Sequence, residues 1–384
     1  MTILGSEFIL VAAMGQWSSA RSSVLKFHAA GHSDWTLTHA FFADMGGILV
    51  DPLETDMPSF PLNAEQLFIL IESKHIDYPK LEQDDIKDRS KSDGLARLIA
   101  IAQGLWFFVN CMVRFAQGIF VTTLELTTIS FILVFLVTSY SWYYKPMDVN
   151  RPITLKLNTP LDEIRSAYGQ APGSKWYITP LDFLTRDEWF LSRFWKYYTQ
   201  ILHHMHIPLF TRPKRRPYDF VPSHDIKNMD IRAEIICGPI ILLFSAMFLI
   251  AWNFHFPTPT EQLLWRIASV NTLVYGLFGG ALAGYIHKTM FRKELEATKR
   301  QRMTEKNRKP HGCIGRLAAK LRNIDPEQDP DLEIPIRVFF PISALCVLYS
   351  LSRGFILVED IIGLRNLPES AFQTISWSTY IPHW

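Results

Sequence analysis

The chain has 384 residues, 48% hydrophobic and 20% charged, with a formal net charge of +2. Its 27 Phe, 13 Tyr and 11 Trp need burial, which excludes a disordered chain. Four cysteines in this length exclude a disulfide scaffold, and the near-balanced charge implies no nucleic-acid partner. Mean hydropathy of +0.07 is too high for an ordinary charged globular protein and too low for a chain sunk wholly in lipid. Several membrane spans joined by polar segments fit it. Cys111, Cys237 and Cys346 lie in apolar runs and Cys313 sits alone in a basic loop, so there is no CxxC metal motif.

From the N-terminus, Ser6 to Phe27 reads as an amphipathic helix lying on a membrane or on the protein. It lacks the basic start of a signal peptide, and Glu7 splits its apolar run. A bilayer core about 30 Å thick needs about 20 apolar helical residues. Five stretches qualify: Ala96 to Gly118, Thr122 to Tyr143, Ile231 to Trp252, Leu263 to Ile286 and Ile334 to Ile362. Gln103, Asn110 and Arg114 interrupt the first of them. The expected class is an all-helical, multi-pass membrane protein with about five spans and sizeable cytosolic segments. Its parts are an N-terminal region (1–95), a transmembrane hairpin (96–143), a cytosolic loop (144–230), a second hairpin (231–286), a basic loop (287–333), a final span (334–363) and a tail (364–384).

Basic residues give the orientation. Of the 39 Lys and Arg, 32 fall in segments 1–96, 144–230 and 287–333, which five spans place on one face. That face is read as cytosolic and the tail from Arg365 as lumenal, in the endoplasmic reticulum or another endomembrane. Within 144–230, Pro180 to His206 suits an in-plane helix at the headgroup boundary or a packed helix of a small soluble subdomain. Pro213, Pro217 and Pro222 then break the chain around Lys214, Arg215 and Arg216, a cluster suited to anionic lipid.

Asp84, Asp85 and Asp88 match DDxxD, which in soluble prenyl-diphosphate enzymes holds Mg²⁺. Here the motif lies in a charged run before the first span with no second aspartate-rich partner, and reads better as a hydrated helix start. His203, His204 and His206 do not converge on one helix, nor do His28 and His32 across Gly31. GxSxG, HExxH, P-loop, GxGxxG and eight-histidine motifs are absent. Gly276, Gly280 and Gly284 form a stripe suited to close helix packing.

Charge at membrane depth is costly and turns toward the protein interior or a wet cavity. Five spans gather Arg114, Glu125, His255, Glu261, Arg266, Arg353, Glu359 and Asp360 toward the non-cytosolic side. Arg353 and Asp360, seven apart, share a helical face. The alternative is a set of interfacial residues reaching for water. Candidate catalytic residues are Glu125, Glu359, Asp360, Arg114 and Arg353. Trp106, Trp142, Trp252, Trp265 and Tyr275 are candidates to line a substrate site; Phe107, Tyr143 and Phe355 share their segments. A neutral carboxylic acid beside aromatic faces suits carbocation chemistry, the acid protonating an oxygen and the π faces stabilising the cation.

Trp35 to Gly47 (WTLTHAFFADMGG), Asp88 to Asp93 (DRSKSD) and Thr122 to Leu126 (TTLEL) resemble a large group of fungal multi-spanning membrane proteins, as do Leu364 to Pro368 and Trp377 through Pro382-His383. Many members begin with an additional N-terminal span, so this chain looks shortened at its start. The group is similar in turn to the membrane-bound terpene cyclases of ascochlorin and ascofuranone biosynthesis. That resemblance implies ring closure on an epoxidised farnesyl chain without metal, diphosphate ionisation or cofactor. The implied partners are the bilayer and a lipophilic prenylated substrate. The competing expectations are a non-enzymatic membrane scaffold or sensor and a metal-dependent prenyltransferase using Asp84, Asp85 and Asp88. The scaffold reading requires no enclosed cavity between the spans and a continuous exposed apolar face on Pro180 to His206.

Overall fold

The computed structural model describes residues 5–54, 57–89, 94–146, 149, 151–170, 179–185, 189–207, 227–285, 334 and 336–376. The basic loop 287–333 with Cys313, the proline cluster with Lys214 to Arg216 and the tail beyond 376 lie outside those residues. Eleven α-helices are described: α1 (Ser6–Ala29), α2 (Leu37–Asp44), α3 (Ala64–Glu72), α4 (Gln83–Arg89), α5 (Gly94–Ala116), α6 (Thr123–Ser141), α7 (Leu161–Ala167), α8 (Phe190–His204), α9 (Ile231–Met247), α10 (Pro259–Tyr285) and α11 (Ile336–Ile362). Three short strands accompany them: β1 (Ile48–Asp51), β2 (Phe60–Pro61) and β3 (Ile153–Lys156).

The chain is mostly helical, as expected, but not all-helical. The strands form a sheet of order β2-β1-β3, antiparallel on the β2 side and parallel on the β3 side, with Ile48 opposite Ile153. β1 and β3 lie on either side of the α5–α6 hairpin in sequence. Their pairing therefore brings both ends of that hairpin to one place. Four-residue strands carry too little periodicity to stand out beside long apolar helices.

The sheet belongs to a small subdomain built from the second half of α1, α2, α3, α4 and α7. Phe27 stacks on Trp35 (centroids 4.2 Å apart) within a core that includes Phe41, Phe42, Val50, Phe60, Leu67 and Ile164. Caps fix the helix starts: Thr36 and His39 cap α2, and Asn63 and Gln66 cap α3 reciprocally. Gly46 turns the chain out of α2 with φ +78, and a Cβ on Gly47 would stand 2.6 Å from the Phe42 ring. The string Trp35 to Gly47 is thus a packing element.

Among the described residues, four helices are long and apolar enough to cross a bilayer: α5, α6, α9 with its 3₁₀ continuation to Asn253, and α11 continuing to Arg365. This is compatible with an integral membrane protein. α10 occupies the fourth expected span, Leu263 to Ile286, and packs between α9 and α11. Its 27 residues span about 40 Å, but Glu261, Arg266 and Asn271 make it more polar. α6, α9, α10 and α11 form the bundle, around Val134, Phe244, Phe248, Trp265 and Ile356. The turn to 3₁₀ at Phe248 frees that residue's carbonyl, which accepts from Trp265 Nε1 (3.1 Å) and Ser269 Oγ (3.3 Å). Asn271 Nδ2 donates to Ser352 Oγ (2.9 Å), joining α10 to α11. α5 leans on α6 and is otherwise almost wholly exposed.

The two amphipathic helices, each expected either at a membrane surface or packed on the protein, are both packed. The first half of α1 enters the bundle, where Leu10, Val11 and Met14 join its core, while Ala20 and Phe27 join the subdomain. The apolar face of α8 meets the start of α11: Phe194 and Tyr197 pack with Val338 and Ile342, and the Tyr198 and Ser343 hydroxyls hydrogen-bond at 2.7 Å.

At the junction of subdomain and bundle, Gln16 Oε1 accepts from Trp142 Nε1 (2.9 Å) and Lys145 Nζ (2.8 Å), and the ammonium lies 4.3 Å from the centre of the Trp142 ring. Burial pushes the Lys145 ammonium down to about 8, with Arg97 adding to this and Asp44 opposing it. The folded chain releases this proton near pH 8, whereas the unfolded chain holds it to the ordinary lysine value, about 10.4. Stability relative to Lys145→Met should therefore rise across that window, as read by thermal unfolding at a series of pH values. A flat difference would place the ammonium in water. In the subdomain, Phe27→Ala should cost about 3–5 kcal/mol, read from the unfolding midpoint.

Candidate functional site

A cavity of about 690 Å³ opens between the first turns of α1, most of the length of α9, the second half of α10 and the first half of α11, with Trp189 and Leu191 at its subdomain end. Small residues make the room. Cys237, Gly238, Gly279, Gly280 and Cys346 line it. A Cβ on Gly276 would stand 2.5 Å from Ser245 Oγ, so this glycine lets α10 approach α9. Gly280 has nothing within 4 Å of where its Cβ would be. The stripe thus divides, Gly276 serving packing and Gly280 cavity space; the Gly284 contacts lie outside the description. The walls are mainly apolar and reach the outer surface at Phe278, Leu345 and Leu348.

Two carboxyls line this space. Glu234, in the first turn of α9, stands near the subdomain end. Glu7 is buried deeper, with the Ser6 hydroxyl donating to it at 3.4 Å. Tyr275 faces the cavity and packs on Tyr349 (4.3 Å between centroids), which also meets Phe8 edge-on at 6.2 Å. Glu7 is the functional candidate that sequence reasoning passed over. The signal was an acid inside an apolar run, but it served there only to argue against a signal peptide.

The expected polar residues separate into three places. Arg353 (0% exposed) lies behind the cavity, its guanidinium carbon 5.7, 5.0 and 4.7 Å from the ring centres of Phe131, Phe244 and Phe248. No guanidinium nitrogen has a hydrogen-bond partner. Two turns further along the same face, Asp360 (1%) points at Thr123 and Thr127 of α6 with both carboxylate oxygens unpartnered. Glu359 (2%) turns instead toward Glu261 and Arg365, which pair with each other at 2.5 Å.

Arg114 and Glu125 form the third place, at the end of the bundle away from the subdomain. Their Nε–Oε1 distance is 3.6 Å. Glu125 completes a reciprocal cap with Thr122 at the start of α6. Arg114 donates to the carbonyls of Phe120 (2.8 Å), Ala371 (2.9 Å) and Gln373 (3.1 Å). This pair is tied to the 369–376 segment and does not line the cavity.

Of the expected substrate-lining aromatics, Tyr275 alone lines the cavity. Trp265 is buried in the bundle core, and Trp142 is at the junction beside Gln16 and Lys145. Trp252 lies under the Arg266 guanidinium (5.2 Å), and Trp106 is exposed on α5. Among the weaker metal candidates, Asp84 and Asp85 are exposed on α4, and the Asp88 side chain lies outside the description. His28 Nε2 donates to the Trp35 carbonyl (2.8 Å), and His32 stacks on Tyr78 (3.9 Å). His204 and His206 are exposed, and no group of three or more His, Cys, Asp or Glu among the described residues is arranged to hold a metal.

Removing the guanidinium should free the segment it holds. Arg114→Ala leaves three carbonyls without their donor, and limited proteolysis should cut between residues 366 and 376 faster than in the wild type. An unchanged cleavage pattern would show that other contacts hold this segment.

No curated protein and no solved structure matches the chain. A family of unknown function, DUF8562, matches residues 17–167 and 240–384, covering most of the subdomain and the bundle helices α5, α6, α10 and α11. The chain therefore belongs to the DUF8562 family.

Proposed function

We propose that this protein is an integral membrane terpene cyclase of fungal secondary metabolism that closes rings on an epoxidised prenyl chain of a meroterpenoid. In this reading α5 and the bundle helices α6, α9, α10 and α11 cross an endomembrane five times with the subdomain on the cytosolic side. The observation that carries it is the cavity of about 690 Å³, mainly apolar, reaching the outer surface, with the buried Glu7 and the rings of Phe8 and Tyr275 among its walls and Tyr349 packed behind them. The volume falls in the range of about 300–1,000 Å³ usual for small-molecule sites. An opening at Phe278, Leu345 and Leu348 suits a substrate arriving from the bilayer.

The chemistry needs one acid, one base and a dry, cation-tolerant wall. Glu7 donates its proton to the epoxide oxygen, and the C–O bond breaks as a chain alkene attacks the carbon. The positive charge passes to the next alkene carbon and faces the aromatic rings. Loss of a proton to a carboxylate, Glu7 itself or Glu234, forms the final alkene. The atoms of the substrate are all retained, so the product is an isomer of equal mass and no cofactor is consumed. The acid thus moves from the expected Glu125 and Glu359 to Glu7, because neither of those lines the cavity.

The scaffold reading requires no enclosed cavity between the spans and a continuous exposed apolar face on Pro180 to His206; the packing of α8 on α11 weighs against it. The exposure of Asp84 and Asp85 weighs against a metal-dependent prenyltransferase.

Microsomes from a heterologous host expressing the chain should convert an epoxyfarnesyl aromatic substrate into a cyclised isomer of unchanged mass. Glu7→Gln should lower turnover by about 10²–10⁴-fold, while Glu125→Gln should leave turnover within a few fold. Wild-type turnover by Glu7→Gln removes the acid assignment, and no isomer from the folded wild type removes the cyclase reading.

A further inference from the structure

Three ionisable side chains are buried at and behind the cavity wall, with no hydrogen bond or ion pair joining them. Glu7 on α1 is 6% exposed, Arg353 0% and Asp360 1%. Arg353 stands within electrostatic reach of both carboxyls. All three guanidinium nitrogens and both Asp360 oxygens lack hydrogen-bond partners, as does the Thr127 hydroxyl that Asp360 faces. The rings of Phe131, Phe244 and Phe248 close the remaining sides of the cation.

A charge left uncompensated in such surroundings costs several kcal/mol. One guanidinium balances one carboxylate. Two carboxyls facing one guanidinium are therefore neutral only when a single proton is held between them.

We propose that Glu7, Arg353 and Asp360 form one proton-sharing set, in which Asp360 compensates Arg353 and leaves the proton on Glu7, the member that faces the cavity. Arg353 and Asp360 are then positioning residues that act through Glu7. Other titratable groups stand around the set. Tyr275 of α10 and Cys346 of α11 lie near Glu7, and Cys237 and Glu234 of α9 line the same cavity. Tyr349 of α11 packs against Tyr275. Glu359 adjoins Asp360 and faces the Glu261–Arg365 pair. α6 turns Phe131 and Thr127 toward the set, and its Glu125 is held by Arg114.

This arrangement gives two substitutions opposite effects. Asp360→Asn, which keeps shape, leaves Glu7 as the single carboxylate for Arg353, so Glu7 ionises. Arg353→Met removes the cation, so both carboxyls keep their protons. The activity arm of the test rests on the cyclase reading; the spectroscopic arm does not.

In infrared difference spectra of the purified full chain, the wild type should show a protonated-carboxyl band that both Glu7→Gln and Asp360→Asn abolish. Arg353→Met should add to that band, and Glu359→Gln should leave it unchanged. In the cyclisation assay, Asp360→Asn should lower turnover about tenfold or more near neutral pH and regain it on the acid side. Arg353→Met should extend activity to higher pH. Survival of the band in Asp360→Asn overturns the proposal, as do pH profiles that move in the same direction in both variants. If Arg353→Met does not assemble, Asp360→Asn decides alone. The infrared pattern without any isomer would retain the proton-sharing set and remove the cyclase reading.

Discussion

Helix α1 belongs to two cores at once, and the arrangement of the rest depends on that. Its second half closes the subdomain through Ala20 and Phe27; its first half fills the bundle between α6, α9 and α11 through Leu10, Val11 and Met14. One rigid rod buried at both ends sets the subdomain and the bundle in a single geometry. It also carries Glu7 to a depth no loop would reach, because backbone groups left outside a helix find no partners in an apolar interior.

Charge burial follows from this placement. Arg353 sits among Phe131, Phe244 and Phe248, and such a cation is tolerated only with carboxyls nearby. One comes from its own helix two turns on, the other from α1. At the opposite end of the bundle the same physics takes a plainer form. Arg114 is shared among Glu125 and three backbone carbonyls, and it ties the segment after α11 to the α5–α6 turn. The two arginines resemble each other in sequence context, each late in an apolar run. They differ in that Arg114 reaches carbonyl oxygens, whereas Arg353 is in contact with rings and its nitrogens reach no oxygen.

The cavity is likewise a product of packing. Gly276 brings α10 close to α9 at one level, and Gly280, one turn on, leaves space where the helices separate. Two glycines at helical spacing therefore do opposite things. Trp265 and Trp142 read alike as candidates to line a substrate site, yet one donates inside the bundle core and the other sits over a subdomain contact.

The positions of the four long apolar helices, and of the more polar α10, were legible from sequence, because about 20 largely apolar residues in a row are a local signal that needs no partner to interpret. So was the shared face of Arg353 and Asp360, which follows from helical periodicity alone. The three-stranded sheet was not legible, since β1 and β3 acquire meaning only by pairing across about a hundred residues. Nor was Glu7 as a cavity residue, nor the separation of Glu125 from the buried set. Sequence determines which residues are costly to bury and which stretches are long enough to hide them. Only the tertiary structure decides which costly groups meet, because that depends on the entry of α1 between the other helices, and no local pattern records it.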